Sequence, residues 1–456
     1  MNRKHSFHSH RRSFLTLASA GVAGVMARPV FASGSSLPNK NEKLRTVHIG
    51  VGGKGFGDLN SIASHKSVEV AALCDVDSNR LAQAAAKYPH AKTFADYREM
   101  LNNLDDKIDA VIVSTPDHTH APAAMMAMNL GKPVYCQKPL THEAFEARRL
   151  REIADEKNLV TQMGVQIHSH QAYREAVAII QSGALGKISR VLAWSNKNWG
   201  FDGTQLPPAD QPPKTLDWNL WLGSAAERDY VPGFYHPGVW RKMIDFGTGT
   251  LGDMGVHIFD TPYTALELTA PNWVRTNCRP PTGIGQPEAN KVEYEFPGTK
   301  HTTATLSWIW FDGNMAPPPN KELGLSEEEQ LPAQGSLFVG ENGTLLLPHV
   351  ASAKLFPEKQ WADYKRPDVA GNDHYHQFVD ACLGTTQASM PFHLGGPLTE
   401  ALLLGVVGNR FPEEKLIWNT DDMTFKNSAA ATKLIHREYR DGFKVENLSP
   451  AALAAR

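Results

Sequence analysis

The stretch VHIGVGGKGFGD, residues Val47 to Asp58, decides how this sequence folds. An apolar run, Thr46–Val51, leads straight into glycines at 50, 52 and 55, and a helical pattern follows. Gly50 permits a tight turn, Gly52 lets backbone approach a pyrophosphate, and Gly55 lets the helix pack closely on the strand. The helix N-terminus then offers free N–H groups and partial positive charge to phosphates. Further on, Asp75 follows a second apolar run. A carboxylate there can accept hydrogen bonds from both hydroxyls of an adenosine ribose and repels a 2′-phosphate. The expected cofactor is therefore NAD, with NADP disfavoured.

Outward from this motif, strand and helix patterns alternate. Apolar strands are expected at Thr46–Val51, Val68–Leu73, Ala110–Ser114, Pro133–Cys136 and Leu159–Met163. Helices are expected at Ser78–Lys87 (with Ser78 as N-cap), Ala121–Asn129 and Thr141–Glu156. Short apolar strands separated by helices imply an α/β fold, a doubly wound parallel Rossmann sheet over residues 44–165. From 166 to 440 the texture changes. Proline-rich segments (QLPPADQPPK, MAPPPN) and alternating strands at Val292–Phe296 and Ala304–Trp310 point to an α+β domain with a large, mostly antiparallel sheet. All ten tryptophans fall here, where core packing competes with ligand binding for most of them.

The N-terminus reads separately. Arg11 and Arg12 precede RRSFLTLASAGVAGVMARPVFASG's Ala- and Gly-diluted apolar run, the pattern of a twin-arginine export signal over residues 1–32, with 33–43 as linker. The rival is an N-terminal anchor behind a chance arginine pair. Export of a periplasmic protein with no membrane span in its mature form is the expectation. Charged residues make up 21% of the chain and the formal net charge is -2, so no basic excess argues for nucleic acid. The four cysteines, Cys74, Cys136, Cys278 and Cys382, are too widely spaced for a disulfide framework or a CxxC metal site and read as buried thiols.

A third signal is VYCQKPL, Val134 to Leu140. A lysine directly after a buried strand sits at the carboxyl edge of the sheet, where ligands of this architecture bind, and suits proton transfer beside a nicotinamide. The rival is an ordinary loop lysine. In GTLGDMGVHIFD, helical spacing puts Asp253, His257 and Asp260 on one stripe. A polar stripe is usually a solvated face. This one lacks Lys, Arg and Glu, and carboxylates a turn away would fix the imidazole tautomer and raise its basicity.

Together VHIGVGGKGFGD, CDVD, STPDHTHAPAAMMAMNLGKPVYCQKPL and GTLGDMGVHIFD resemble the Gfo/Idh/MocA family, from about Leu44 to about Trp418. The resemblance implies an NAD(P)-dependent enzyme acting on a small carbohydrate, and a C-terminal sheet that commonly forms homo-oligomer interfaces. It implies that Lys138 is the catalytic lysine, that Asp253 and His257 are the paired substrate-binding and proton-transfer residues, and that Thr115, Pro116 and His120 line the cofactor. The family's usual glutamate before the lysine is Gln137 here, which can hydrogen-bond the cofactor but adds no negative charge. His168, Arg174, Tyr235 and Trp240 are candidates for the substrate pocket, aromatic rings suiting the apolar faces of sugars. His168-Ser-His170 and His374-Tyr-His376 would share a face in a strand, but neither pair has an acidic or cysteine partner, so no metal is expected. Three functions follow. The first is an NAD-dependent oxidoreductase acting on a secondary hydroxyl of a sugar or polyol, its cofactor held tightly. The second is a redox-neutral, NAD-dependent glycoside hydrolase that oxidises, eliminates, hydrates and reduces. The third is a non-catalytic sugar or dinucleotide sensor.

Overall fold

The computed structural model describes residues 43–449, so the segment expected to be an export signal lies outside the described residues. Six strands, β1 (Leu44–Ile49), β2 (Val68–Cys74), β3 (Lys92–Phe94), β4 (Ala110–Val113), β5 (Val134–Cys136) and β6 (Thr161–Met163), pair in parallel in the order β3-β2-β1-β4-β5-β6. The crossovers carry α1 (Lys54–Ala63), α2 (Ser78–Lys87), α3 (Tyr97–Leu104), α4 (Asp117–Asn129) and α5 (Ala144–Glu156). Helices on both faces explain why β4 and β5 are buried at every residue and read as unbroken apolar runs. Strand order reverses between β1 and β4, which opens a crevice at their carboxyl ends, where such sheets bind ligands.

Several boundaries differ from the sequence expectation. β3 is a three-residue strand with two exposed positions, and its short polar run gives no apolar signal. α4 starts at Asp117 rather than Ala121, and α5 starts at Ala144 rather than Thr141. Asp77, not Ser78, caps α2, its carboxylate accepting the Asn79 N–H at 3.0 Å.

The second sheet is built from β7 (Ile188–Ser195), β8 (Trp273–Asn277), β9 (Asn290–Pro297), β10 (Thr302–Asp312), β11 (Gln334–Gly340), β12 (Gly343–Pro348), β13 (Lys354–Phe356), β14 (Leu416–Asn419) and β15 (Thr424–Phe425). Their order is β13-β12-β11-β7-β10-β9-β8-β14-β15, antiparallel except where β10 meets β7. Alternation in β9 buries Val292, Tyr294 and Phe296, and α8 (Val256–Ala265) lies against this sheet with Phe259 stacked on Trp308 at 3.7 Å. Before α8 come α6 (Gln171–Gln181) and the short α7 (Trp218–Leu222). Cys74, Cys136 and Cys382 are buried and Cys278 partly so, all with free thiols. No helix among the described residues is long and apolar enough to cross a membrane.

Two later helices return to the first sheet. α9 (His374–Cys382) packs Phe378, Val379 and Cys382 against Leu44, Ile62 and Tyr135. α10 (Phe392–Gly408) lies on α5, where Arg148 grips Glu400 with two bonds, Nε–Oε2 at 2.7 Å and Nη2–Oε1 at 2.6 Å. Both side chains are buried, so each charge depends on the other. Glu400→Ala leaves the guanidinium without a carboxylate and should cost about 3–5 kcal/mol of unfolding free energy, read from denaturant titration.

Candidate active site

The glycine turn follows β1 directly. Gly50 has φ +80°, and a Cβ there would lie 2.7 Å from the Ser114 carbonyl oxygen at the end of β4. A Cβ on Gly55 would collide with the Gly50 carbonyl, so α1 is seated hard against the turn. Asp75 braces this turn. Its carboxylate accepts the Val51 N–H and the Asp77 N–H, both at 2.9 Å. Burial raises its proton affinity and those two donors oppose the rise. Gly50, Gly52, Gly53, Asp75, Thr115, Pro116, His120 and Gln137 all line one cavity of about 540 Å³, a cradle whose shape and donors fit a dinucleotide. Gly55 lies beneath it.

Lys138 and the second unit meet in this cavity. The Lys138 ammonium donates to the Asp253 carboxylate (Nζ–Oδ1 2.9 Å) and to the Asp253 carbonyl (2.7 Å). Asp253 lies in a π-helical turn, Leu251–Gly255, that runs into α8. Arg241 Nε donates to the same Oδ1 at 3.1 Å. Burial alone would raise the Asp253 carboxyl, but Lys138 and Arg241 hold it well below the usual carboxylate range. His257 lines the cavity too, with its Nδ1 buried and without a hydrogen-bond partner among the described residues.

The three-residue stripe divides. Asp253 turns to two cations and makes no bond to His257, while Asp260 binds His168 Nδ1 at 2.9 Å on the other side. His257 is accordingly less basic than a free histidine, not more. Burial lowers it, and the Lys138 charge lowers it further, against a smaller opposing effect of Asp253. His120 bridges the two loops of the site, 2.8 Å from both the Pro139 and the Thr115 carbonyl oxygens.

Three of the four predicted substrate residues lie off the cavity. Tyr235 is buried in an aromatic cluster with Trp218, Trp221 and Phe246, where packing outweighs exposure to ligand. His168 is taken by Asp260, and Arg174 is exposed on α6 with Nη1 2.7 Å from the Asn372 amide. Trp240 does line the cavity. The strand premise for the histidine pairs fails. His168 lies in a 3-10 turn, His170 caps α6, and His374 and His376 open α9. Among the described residues no three His, Cys, Asp or Glu side chains are grouped to hold a metal.

Asp58 is the residue that motif reading passes over. It is fully buried on α1 and accepts from Gln137 Nε2 and Ser114 Oγ, each at 2.8 Å, and from Lys54. Lys54 also donates to Tyr375 on α9 at 2.8 Å. The negative charge that Gln137 lacks is thus present one layer below it. Its signal in the sequence was a carboxylate on the apolar face of α1, beside Leu59 and Ile62.

Two models of one oxidoreductase family, GFO_IDH_MocA, match the chain: an NAD-binding Rossmann fold over residues 44–165 and a C-terminal alpha/beta domain over residues 171–279, together about half of it. Inositol 2-dehydrogenase of Salmonella typhimurium is 34% identical over 148 residues, covering 32% of this chain and 43% of that protein. Alpha-N-acetylgalactosaminidase of Shewanella oneidensis is 28% identical over 204 residues, covering 39% of this chain and 44% of that one. The matches thus span less than half the length of these curated relatives. Among solved structures, the WlbA dehydrogenase of Bordetella pertussis with NADH and UDP-GlcNAcA shares the fold at TM-score 0.59 and 16% identity, covering 83% of this chain and all of that one (100%).

A lowered His257 keeps its neutral, proton-accepting form to lower pH than an ordinary imidazole does. The acidic limb of a kcat/KM profile should therefore lie below the free-histidine value of about 6.5. A limb at or above that value, lost in His257→Asn, would contradict this environment.

Proposed function

Because the chain belongs to the Gfo/Idh/MocA oxidoreductase family, we propose that it oxidises or reduces a secondary hydroxyl of a sugar or polyol with a tightly held NAD. When bound, NAD supplies the hydride-accepting and hydride-donating carbon. The chain's own residues manage the proton and the geometry. The Lys138 ammonium donates a hydrogen bond to the carbinol oxygen and stabilises the negative charge that develops there as its proton leaves. The neutral imidazole of His257 takes the hydroxyl proton and returns it in the reverse direction. Asp253 holds the Lys138 ammonium in place, so it acts by positioning. The observation that carries this reading is the 2.9 Å contact between Lys138 and Asp253, inside the cavity that the glycine turn opens. A sensor has no need of that pairing, which favours an enzyme.

Tight retention of cofactor has its own support. The loop after β2 is paired to the second unit, with Ser78 N–H to Thr215 O at 2.8 Å and Asp217 N–H to Val76 O at 2.9 Å. His236 Nε2 adds a 3.0 Å contact to Asp77. This clasp closes over the end of the cavity marked by Asp75. It suits the export proposed for the twin-arginine leader, since a cofactor loaded before export must stay bound. Retention also suits the second reading, a redox-neutral glycoside hydrolase, to which the resemblance to alpha-N-acetylgalactosaminidase lends weight.

Lys138→Met should lower the rate of sugar-dependent nicotinamide reduction, followed by near-ultraviolet absorbance, by roughly 10²–10⁴-fold with bound NAD unchanged. Unaltered turnover would remove Lys138 from the mechanism. Steady aglycone release from aryl glycosides without added NAD would put the hydrolase first. His236→Ala removes one contact to a charged partner and should speed NAD dissociation roughly tenfold, measured by exchange against labelled NAD.

A further inference from the structure

On the His257 side, the cavity wall carries a lysine, a second histidine and two glutamine amides but no carboxylate. Lys197 lies two residues beyond β7, its backbone pinned by Lys197 N–H to Ser195 Oγ at 3.2 Å and by Gly313 N–H to Lys197 O at 3.2 Å. Gln334, at the start of β11, pairs in register with Ser195, so these two side chains spring from neighbouring strands. His349 follows β12, its N–H bonded to the Gln334 carbonyl at 2.9 Å. Its ring centroid is 5.8 Å from that of His257, and its Nδ1 is 2.7 Å from the Tyr173 hydroxyl, which leaves Nε2 for the cavity. Gln166 joins from the turn after β6.

Among the described residues, the Lys197 ammonium and the Gln166 and Gln334 amides have no hydrogen-bond or ion-pair partner. The carboxylates of the cavity are all engaged elsewhere. Asp75 braces the glycine turn, Asp117 accepts from Thr248 at 2.8 Å, and Asp253 is shared by Lys138 and Arg241. Three cations (Lys138, Lys197 and Arg241) thus share the wall with Asp253 and a deeply buried Asp117. Burial lowers His349 to about 4, and the Lys197 and Lys138 charges add to the effect, so its ring is neutral at neutral pH. Next to it, Val350 holds φ +62°, a left-handed conformation that is costly for a β-branched residue. Such strain persists where the surroundings fix a neighbour in place, and it clusters at ligand clamps.

We propose that Lys197, His349, Gln334 and Gln166 form a subsite for an oxyanion substituent on the sugar, so that the substrate is an acidic sugar rather than a neutral one. The proposal rests on the reading that this cavity takes a sugar. An ammonium, an imidazole and two amides lining one wall without a carboxylate offer charge-assisted hydrogen bonds that a neutral hydroxymethyl group cannot match.

Calorimetric titration of the NAD-loaded protein tests it with methyl glucosides, galactosides and mannosides, each paired with its uronide and its 6-sulfate. At least one anionic member should bind about tenfold more tightly than its neutral partner. That ratio should collapse in Lys197→Met and invert in Gln334→Glu, while both variants keep their NAD content and melting temperature. Uronide and sulfate ester identify the oxyanion, and competition by inorganic sulfate alone would show that the subsite reads the anion itself. Equal affinity within every pair, no binding by any member, or a ratio unchanged in Lys197→Met would overturn the proposal. If the anionic preference stands but no sugar reduces the bound nicotinamide, the subsite survives and the oxidoreductase reading falls.

Discussion

One ion pair organises this molecule. Lys138 stands at the carboxyl edge of the parallel sheet with its ammonium largely removed from water, and the partner that satisfies it, Asp253, comes from the other unit. A lone ammonium in that position would carry a large desolvation penalty. The contact therefore ties the edge of the first sheet to the second unit and holds the lysine in place beside the glycine turn. Arg241 competes for the same carboxylate oxygen, so the charge of Asp253 is divided between two cations and little remains for His257. Burial, with the Lys138 charge added to it, keeps the imidazole neutral.

The same logic runs beneath the site. Gln137 and Ser114 end adjacent strands, and both donate to Asp58, which Lys54 neutralises from α1. Tyr375 on α9 then ties Lys54 to a helix that follows β13 of the second sheet in the chain. Buried charge is tolerated here because every member of the network has a counterpart. The network holds the ends of β1, β4 and β5 in one geometry, and those three ends are the floor of the cavity.

Local signals made much of this legible. Val47 to Asp58 carries turn, strand and helix chemistry within twelve positions, and Ala110–Val113 is apolar throughout, so the first sheet could be read directly. Lys138, Asp253 and His257 lie in compact motifs, and the structure brings all three to one cavity. What escaped the sequence depended on contacts between distant residues. Whether Tyr235 faces a ligand or Trp218 is set by packing, and nothing near position 235 encodes it. The basicity of His257 was misjudged for a related reason, since helical spacing places Asp253 nearby but cannot show which way its carboxylate turns. Asp58 and β3 lay inside segments whose overall pattern concealed them.

The two ends of the cavity are built on different principles, and that difference bears on turnover. At the Asp75 end, the covering segment is paired backbone to backbone, so opening it means breaking several hydrogen bonds together. At the His257 end, the lining groups are side chains on strand ends and turns, and Lys197 and Gln166 are exposed. Side chains on a rim rearrange far faster than paired backbone separates. On the proposed reading, a ligand seated under the clasp would exchange slowly and one seated against the rim freely. That asymmetry suits a catalyst that keeps its redox group through many cycles and must restore it within each, whether by reducing a second substrate or by returning the hydride to the first.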